Sequence, residues 1–274
     1  LSCWLTIPSA RPPAEAKRTL QLWKDQGYKV ALWLDTPELE TFADYSITCQ
    51  TYPGYSSAVN QLIAQLIANY PNAEWFCVGG DDVEPDPNHT ADAIAQQCSK
   101  HFEDQAWPKH WHWPSGKTLE QAKADGSAHQ EKQALWSAEL AKIYSTFGVM
   151  QPTGDRFANG SIDKICGSAW IGREFAQRMY QGNGPLWHEY TRFWMDEELQ
   201  AVAIQYGVFQ QRRDLIHLHR WYGRASGAID SGTVTTEPPA HLAHQEKLFQ
   251  PERDIFNRRK HARPTPFPGS EPIP

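Results

Sequence analysis

The sequence predicts an α/β protein with a mainly parallel sheet flanked by helices. Three observations predict it. Over the first hundred residues, short apolar runs alternate with amphipathic stretches in the order strand, helix, strand, short link, strand, helix, strand, which marks a sheet of mainly parallel strands. Three of those strands end in polar groups, at Pro8-Ser9, Asp35 and Asp81-Asp82, and in such sheets ligands bind at the carboxyl ends of strands. Finally, a chain of 274 residues, 40% hydrophobic and 21% charged, is long enough for one large domain or two small ones.

Residues 2–7 form the first strand, which ends at Pro8-Ser9. Pro12-Pro13 opens a helix, because proline suits the first turn; Ala16, Leu20 and Trp23 share its inner face and Gly27 stops it. A second apolar strand covers 28–34 and ends in Asp35. A polar link with a short helix covers 36–44, and a third strand 45–49. Gly54-Tyr55-Ser56-Ser57 reads as turn and cap. Behind it Val59, Leu62, Ile63, Leu66, Ile67 and Tyr70 recur with helical period. The fourth strand, 75–78, is free of charge. It breaks at Gly79-Gly80, delivers Asp81 and Asp82, and is closed by Pro85 and Pro87. Adjacent carboxylates at a strand end suit a hard divalent cation, Mg²⁺ or Mn²⁺, which takes oxygen ligands together with substrate phosphates. Glycine beside them admits a ligand close to the backbone. The structural alternative is a turn, which uses the same residue types.

A helix over 91–102 follows. Residues 103–146 then break the alternation with an aromatic, His-rich run at 107–113 and a polar helix-like run at 119–144, an insertion suited to a lid or an acceptor-side subdomain. Strands are predicted at 147–150 and 165–171, the second containing Gly167-Ser168, and a helix at 174–180. Asp196-Glu197-Glu198 opens a further helix with Leu199, Val202, Ala203 and Tyr206 inward and Gly207 as the stop. Asp196 can serve there as a cap or as a base. The stretch 208–219 holds another strand, on which His217 and His219, two apart, share a face. A main domain of 1–223 thus precedes a C-terminal extension, 224–274. The extension carries a helix over 242–249, a basic run from Arg253 to Arg263 and an extended or disordered tail after Pro264.

A net charge of −6 argues against a protein that coats nucleic acid non-specifically, though not against a local basic patch. The five cysteines are scattered and odd in number, and they form no CxxC pair. They read as reduced core thiols of a cytoplasmic protein rather than as zinc ligands. No apolar run approaches the roughly 18 residues of a membrane span, and no signal peptide precedes the first strand. GxGxxG and GxxxxGK[ST] are both absent, so neither a dinucleotide loop nor a P-loop is expected.

In their order and spacing these residues resemble the GT-A glycosyltransferases, especially the inverting family-2-like group, over about residues 1–223. Gly54 with Asn60 resembles that family's glycine turn and helix-borne Asn. Gly80-Asp81-Asp82 resembles its Asp-x-Asp region, without the first Asp. Gly167-Ser168-Ala169 with Arg173 resembles its acceptor-side strand and helix start. Asp196-Glu197-Glu198-Leu199 resembles its catalytic segment, with Met195 where Glu is usual. His219 or His217 resembles its late metal-site histidine. The resemblance implies a GT-A fold and a nucleotide-diphosphate sugar donor, UDP-linked first of all. Pro8, Ser9, Asp35 and Asn60 would meet its base and ribose, with Gly80, Gly167 and Ser168 alongside. It implies Mn²⁺ or Mg²⁺ on Asp81, Asp82 and His219 or His217, and Asp196 as the base that deprotonates an acceptor hydroxyl, with inversion. The acceptor is left open. Arg253 to Arg263, with Arg212 and Arg213, permits a nucleic acid such as a hydroxymethylated base of phage-type DNA, against the alternative of a solvated charged tail. Two other classes stay in view: a nucleotidyltransferase acting on a sugar phosphate, for which Ser9-Ala-Arg-Pro-Pro is a poor version of the basic loop expected after the first strand, and a non-catalytic sugar- or nucleotide-binding module.

Overall fold

The structure, a computed structural model, describes residues 2–109, 143–154, 165–220 and 246–273, with Gln121, Ala124 and Gly126. Its strands are β1 (Ser2–Ser9), β2 (Lys29–Leu34), β3 (Tyr45–Thr48), β4 (Ala73–Cys77), β5 (Val83–Glu84), β6 (Val149–Pro152), β7 (Trp170–Gly172), β8 (Phe209–Arg212) and β9 (Leu218–His219). Its α-helices are α1 (Pro13–Asp25), α2 (Tyr55–Asn69), α3 (Ala91–Lys109), α4 (Arg173–Arg178), α5 (Met195–Gln205) and α6 (Phe249–Lys260).

Among the described residues, seven strands form one sheet in the order β3-β2-β1-β4-β7-β6-β8. The β1–β2, β1–β4, β2–β3 and β6–β8 pairs are parallel, and β7 runs antiparallel to both β4 and β6. Both faces are covered, which is why the strands read as unbroken apolar runs. Alternate residues face opposite sides. Trp4, Phe76, Val149 and Ile171 pack with α2, α5 and α6 through Leu62, Leu199 and Phe256. Leu5, Ile7, Trp75 and Trp170 pack with α1 and α3 through Leu20, Trp23 and Ile94. Pro13 opens α1 as predicted. Gly54, with φ of +89°, caps α2 where a Cβ would lie 3.0 Å from the Thr191 backbone, so a larger residue meets both strain and a clash.

Several boundaries differ from expectation. The helix predicted at 91–102 continues as α3 to Lys109, into the span assigned to the insertion. The rest of the aromatic run to Trp113, and nearly all of the helix-like 119–144, lie outside the described residues. The predicted strand 165–171 is reduced to β7, and Gly167-Ser168 stand in the turn before it. The predicted helix 174–180 stops as α4 and gives way to a 3-10 segment, Met179–Gly182. There Tyr180 and Gln181 take left-handed φ of 49° and 59°, and the Tyr180 hydroxyl reaches Glu198.

The stretch 208–219, expected to hold one strand, holds two in different sheets: β8 joins the edge of the large one and β9 pairs with β5. The C-terminal helix begins where the prediction ended it: a 3-10 turn at Glu246–Leu248 leads into α6, whose first turn accommodates Pro251. The segment after Pro264 is not an extended tail. Phe267 and Ser270 are buried, the Phe267 amide donates to the Arg259 carbonyl (2.8 Å), and the Ile273 amide donates to the Arg178 carbonyl (2.9 Å). All five cysteines are free thiols, with Cys49 exposed and the others buried. No helix among the described residues is long and apolar enough to cross a membrane.

Candidate functional site

Parallel pairing puts the carboxyl ends of β1, β2 and β4 along one edge. The reversal of β7 brings its start to the same place. Pro8 lies opposite Trp33 and Ser9 opposite Leu34, so Ser9 stands beside the exposed Asp35 that follows β2. The Val78 amide donates to the Ala169 carbonyl (2.8 Å), and a Cβ on Gly79 would sit 3.5 Å from both the Gly167 oxygen and Ser168 Cβ. The strand end that carries the acids is therefore flanked by the Gly167-Ser168 turn. It is also fixed from α2: the Tyr55 hydroxyl donates to the Gly79 carbonyl (2.8 Å) and accepts from the Gly79 amide (2.9 Å).

The two carboxylates differ. Asp81 Oδ2 accepts from Ser9 Oγ (2.7 Å) and Oδ1 from Arg11 Nε (2.8 Å). Asp82 Oδ2 accepts from Arg11 Nη2 (3.0 Å), and its Oδ1 lies 3.5 Å from His219 Nε2. Burial pushes the Asp81 carboxyl above its ordinary range, against Ser9 and Arg11. At Asp82 burial acts the same way, but His219 and then Arg11 outweigh it and hold the group well below the usual carboxylate range. A Cβ on Gly80 would collide with Asp82 Oδ1, so a larger residue there would push that carboxylate from its present position.

His219 reaches Asp82 because the two-residue strands β5 and β9 pair, with Val83 opposite His219. Polar ties hold this small ladder. Asp86 accepts from the Ile216 amide with one oxygen and from the Asn88 amide with the other (2.8 Å each). The Arg220 amide donates to the Asp82 carbonyl (2.8 Å), the Arg220 guanidinium makes two 3.0 Å bonds to Glu84, and Trp23 Nε1 donates to the Val83 carbonyl (2.7 Å). His217 takes other partners. It is buried edge-on against Trp23 and shares a 3.2 Å hydrogen bond with Ser168 Oγ, and burial lowers its pKa to about 4. Of the two histidines considered as ligands, His219 is the one beside the acids.

Asp196 lies in the first turn of α5, after Trp194 in a left-handed conformation (φ 71°). Its Oδ1 accepts from the Glu197 amide (3.2 Å), and its negative charge contributes to a raised pKa at the Tyr55 hydroxyl, which is set chiefly by burial. The stretch ahead of it is held from α6. The Glu252 carboxylate accepts from the backbone amides of Thr191 (2.9 Å), Arg192 (3.1 Å) and Phe193 (2.6 Å). Glu198 is structural. It is 1% exposed, accepts from Arg259 and from the hydroxyls of Tyr180 and Tyr190 (2.7 Å each), and Arg259 also stacks 3.6 Å from the Trp187 ring centroid.

Asn60, expected at the nucleotide, donates to the Leu186 carbonyl (2.7 Å) and accepts from the Leu186 amide (3.2 Å), which is the structural use of that side chain. Arg259 is removed from the expected basic face, leaving Arg253, Arg258, Lys260 and Arg263 exposed there; Arg212 is bound to Asp214 and Gln97. Sequence reasoning missed Arg11 at the acids, Tyr55 under Gly79, and Glu252. A basic residue one turn after the first strand was the available signal for Arg11.

Among the described residues, no group of three or more His, Cys, Asp and Glu side chains stands arranged to hold a metal ion. The donor set at the strand end, carboxylate oxygens with one imidazole, is nonetheless of the kind Mg²⁺ and Mn²⁺ accept. The Arg11 guanidinium already bridges the two carboxylates as a stand-in cation. Comparison of the chain with protein-family models, curated proteins and solved structures finds no match.

Proposed function

We propose that this protein is a glycosyltransferase of the GT-A type, moving a hexose from a nucleoside-diphosphate sugar, UDP-linked first of all, to a hydroxyl acceptor with inversion. One observation carries the reading: Asp81 and Asp82 at the end of β4 meet His219 of β9 at the carboxyl edge of a mainly parallel sheet, beside Ser9 and the Gly167-Ser168 turn. Asp81, Asp82 and His219 would hold a divalent cation, which would supply Lewis-acid stabilisation of charge on the leaving diphosphate. The chain's own residues do the rest. Ser9 and Asp35 line the donor side, Gly80 admits the ligand to the backbone, and Asp196 takes the proton of the acceptor hydroxyl.

The test is turnover or slow hydrolysis of a panel of UDP-, GDP- and other nucleotide sugars by purified protein with Mn²⁺; silence across the panel ends the proposal. Asp196→Asn is expected to lower turnover by about 10²-fold or more while donor affinity stays. Unchanged turnover would take the base's role from Asp196, and donor binding without any turnover in wild type would favour a binding module. A product that keeps the donor's anomeric configuration contradicts inversion. DNA with hydroxymethylated bases belongs in the acceptor panel, on the strength of the exposed Arg253, Arg258 and Lys260. A second reading has an observation of its own. Arg11, just after β1, lies at the acids, as the basic group of a nucleotidyltransferase would. Pyrophosphate release from a nucleoside triphosphate and a sugar phosphate would select it.

A further inference from the structure

Every oxygen of the acidic pair is engaged. Ser9 Oγ is on Asp81 Oδ2, Arg11 Nε on Asp81 Oδ1, Arg11 Nη2 on Asp82 Oδ2, and His219 Nε2 faces Asp82 Oδ1. A single guanidinium spans both carboxylates, whose side chains are 12% and 15% exposed. Two such carboxylates beside each other need a cation, because a buried charge without a partner has lost its solvation by water. Arg11 supplies it in the ligand-free protein.

We propose that Arg11 is a displaceable counter-ion, which holds the metal position of the acidic pair and yields it to a divalent cation when its guanidinium can turn to the donor's diphosphate. The inference rests on the nucleotide-sugar reading above. Arg11 lies in the bend between β1 and α1, outside both elements, and its side chain is 21% exposed, so it has a route out that moves no strand or helix. Its planar fork of donors fits phosphate as well as carboxylate. Metal entry leaves the guanidinium in need of an anion, and the diphosphate is one. Each ligand therefore removes an obstacle to the other, and by linkage the coupling is reciprocal.

The experiment measures Mn²⁺ binding by electron paramagnetic resonance, with and without UDP, on wild type and Arg11→Gln, with circular dichroism to confirm the fold. Removing a positive charge at hydrogen-bond distance should tighten Mn²⁺ by itself at least about tenfold over wild type. UDP should tighten Mn²⁺ strongly in wild type and much less in Arg11→Gln. A matching shift is expected in melting temperature, raised by Mn²⁺ in the variant and barely in wild type. If Arg11→Gln does not fold, Arg11→Lys, which cannot span both carboxylates, must still tighten Mn²⁺ relative to wild type. Wild type that takes up Mn²⁺ with UDP, beside a variant that gains nothing for Mn²⁺ by itself, overturns the inference and leaves the functional reading standing. Failure of both proteins to bind Mn²⁺ even with UDP overturns both.

Discussion

Asp196 and Glu197 are neighbours with unlike fates. Glu197 Oε2 is buried and has no hydrogen-bond partner, and burial, followed by the charge of Asp196, pushes the Glu197 carboxyl far above the ordinary glutamate range. The folded protein thus keeps a proton that the unfolded chain releases above its ordinary value of 4.5, and stability falls as pH rises past that point. Glu197→Gln removes this penalty. Its melting temperature should exceed wild type at pH 8, with the gain shrinking toward pH 4; an equal gain at every pH in a thermal series would refute the assignment. At this scale the meeting of Asp81, Asp82, Ser9 and His219 was legible, because acids and a late imidazole stand at strand ends. Arg11 and Tyr55 were not. Arg11 stands in a bend without periodic context, and the reach of the Tyr55 phenol to Gly79 depends on how α2 lies against β4. Asn60, which the resemblance put at the nucleotide and which could equally be structural, serves the Leu186 backbone.

Among the elements, α6 holds the approach to α5 through Glu252. Glu252 satisfies three consecutive backbone amides in the stretch that delivers Trp194 and Asp196. Buried donors left without an acceptor are costly, so Glu252→Ala should destabilise the protein by about 2–4 kcal/mol in chemical denaturation. If Asp196 is the base, the same variant should lose turnover while donor binding is kept, and Glu252→Gln, which retains an acceptor oxygen, should recover part of both. Parallel losses of donor affinity and turnover would detach Glu252 from the base. The order of elements was readable from apolar period, but their lengths were not. The stretch 208–219 looks like one strand until Asp86 captures the Ile216 amide and draws β9 to β5. No local pattern encodes that capture.

For the whole molecule, the C-terminal segment is a clasp rather than an appendage. Arg259 and Glu198, 7% and 1% exposed, join it to the core with two tyrosine hydroxyls completing the cluster. Breaking one side of a buried pair costs about 3–5 kcal/mol, whereas replacing both partners is far milder. Glu198→Gln and Arg259→Met should therefore each destabilise strongly, and the double variant by less than their sum. An additive double-mutant cycle in denaturant would contradict the pairing. The division at residue 223 and the loose tail followed from Gly, Pro and charge content. Composition could not disclose that Phe267 packs on Phe256 and that Arg259 pairs with Glu198.

The ladder of β5 and β9 also has a meaning in time. Arg11, Ser9 and the acids belong to the first ninety residues and can meet as soon as β1 and β4 align, whereas the imidazole must be recruited across a long intervening stretch of chain, and such closures come late. On that order the guanidinium shields the two carboxylates before their last neighbour, His219, arrives.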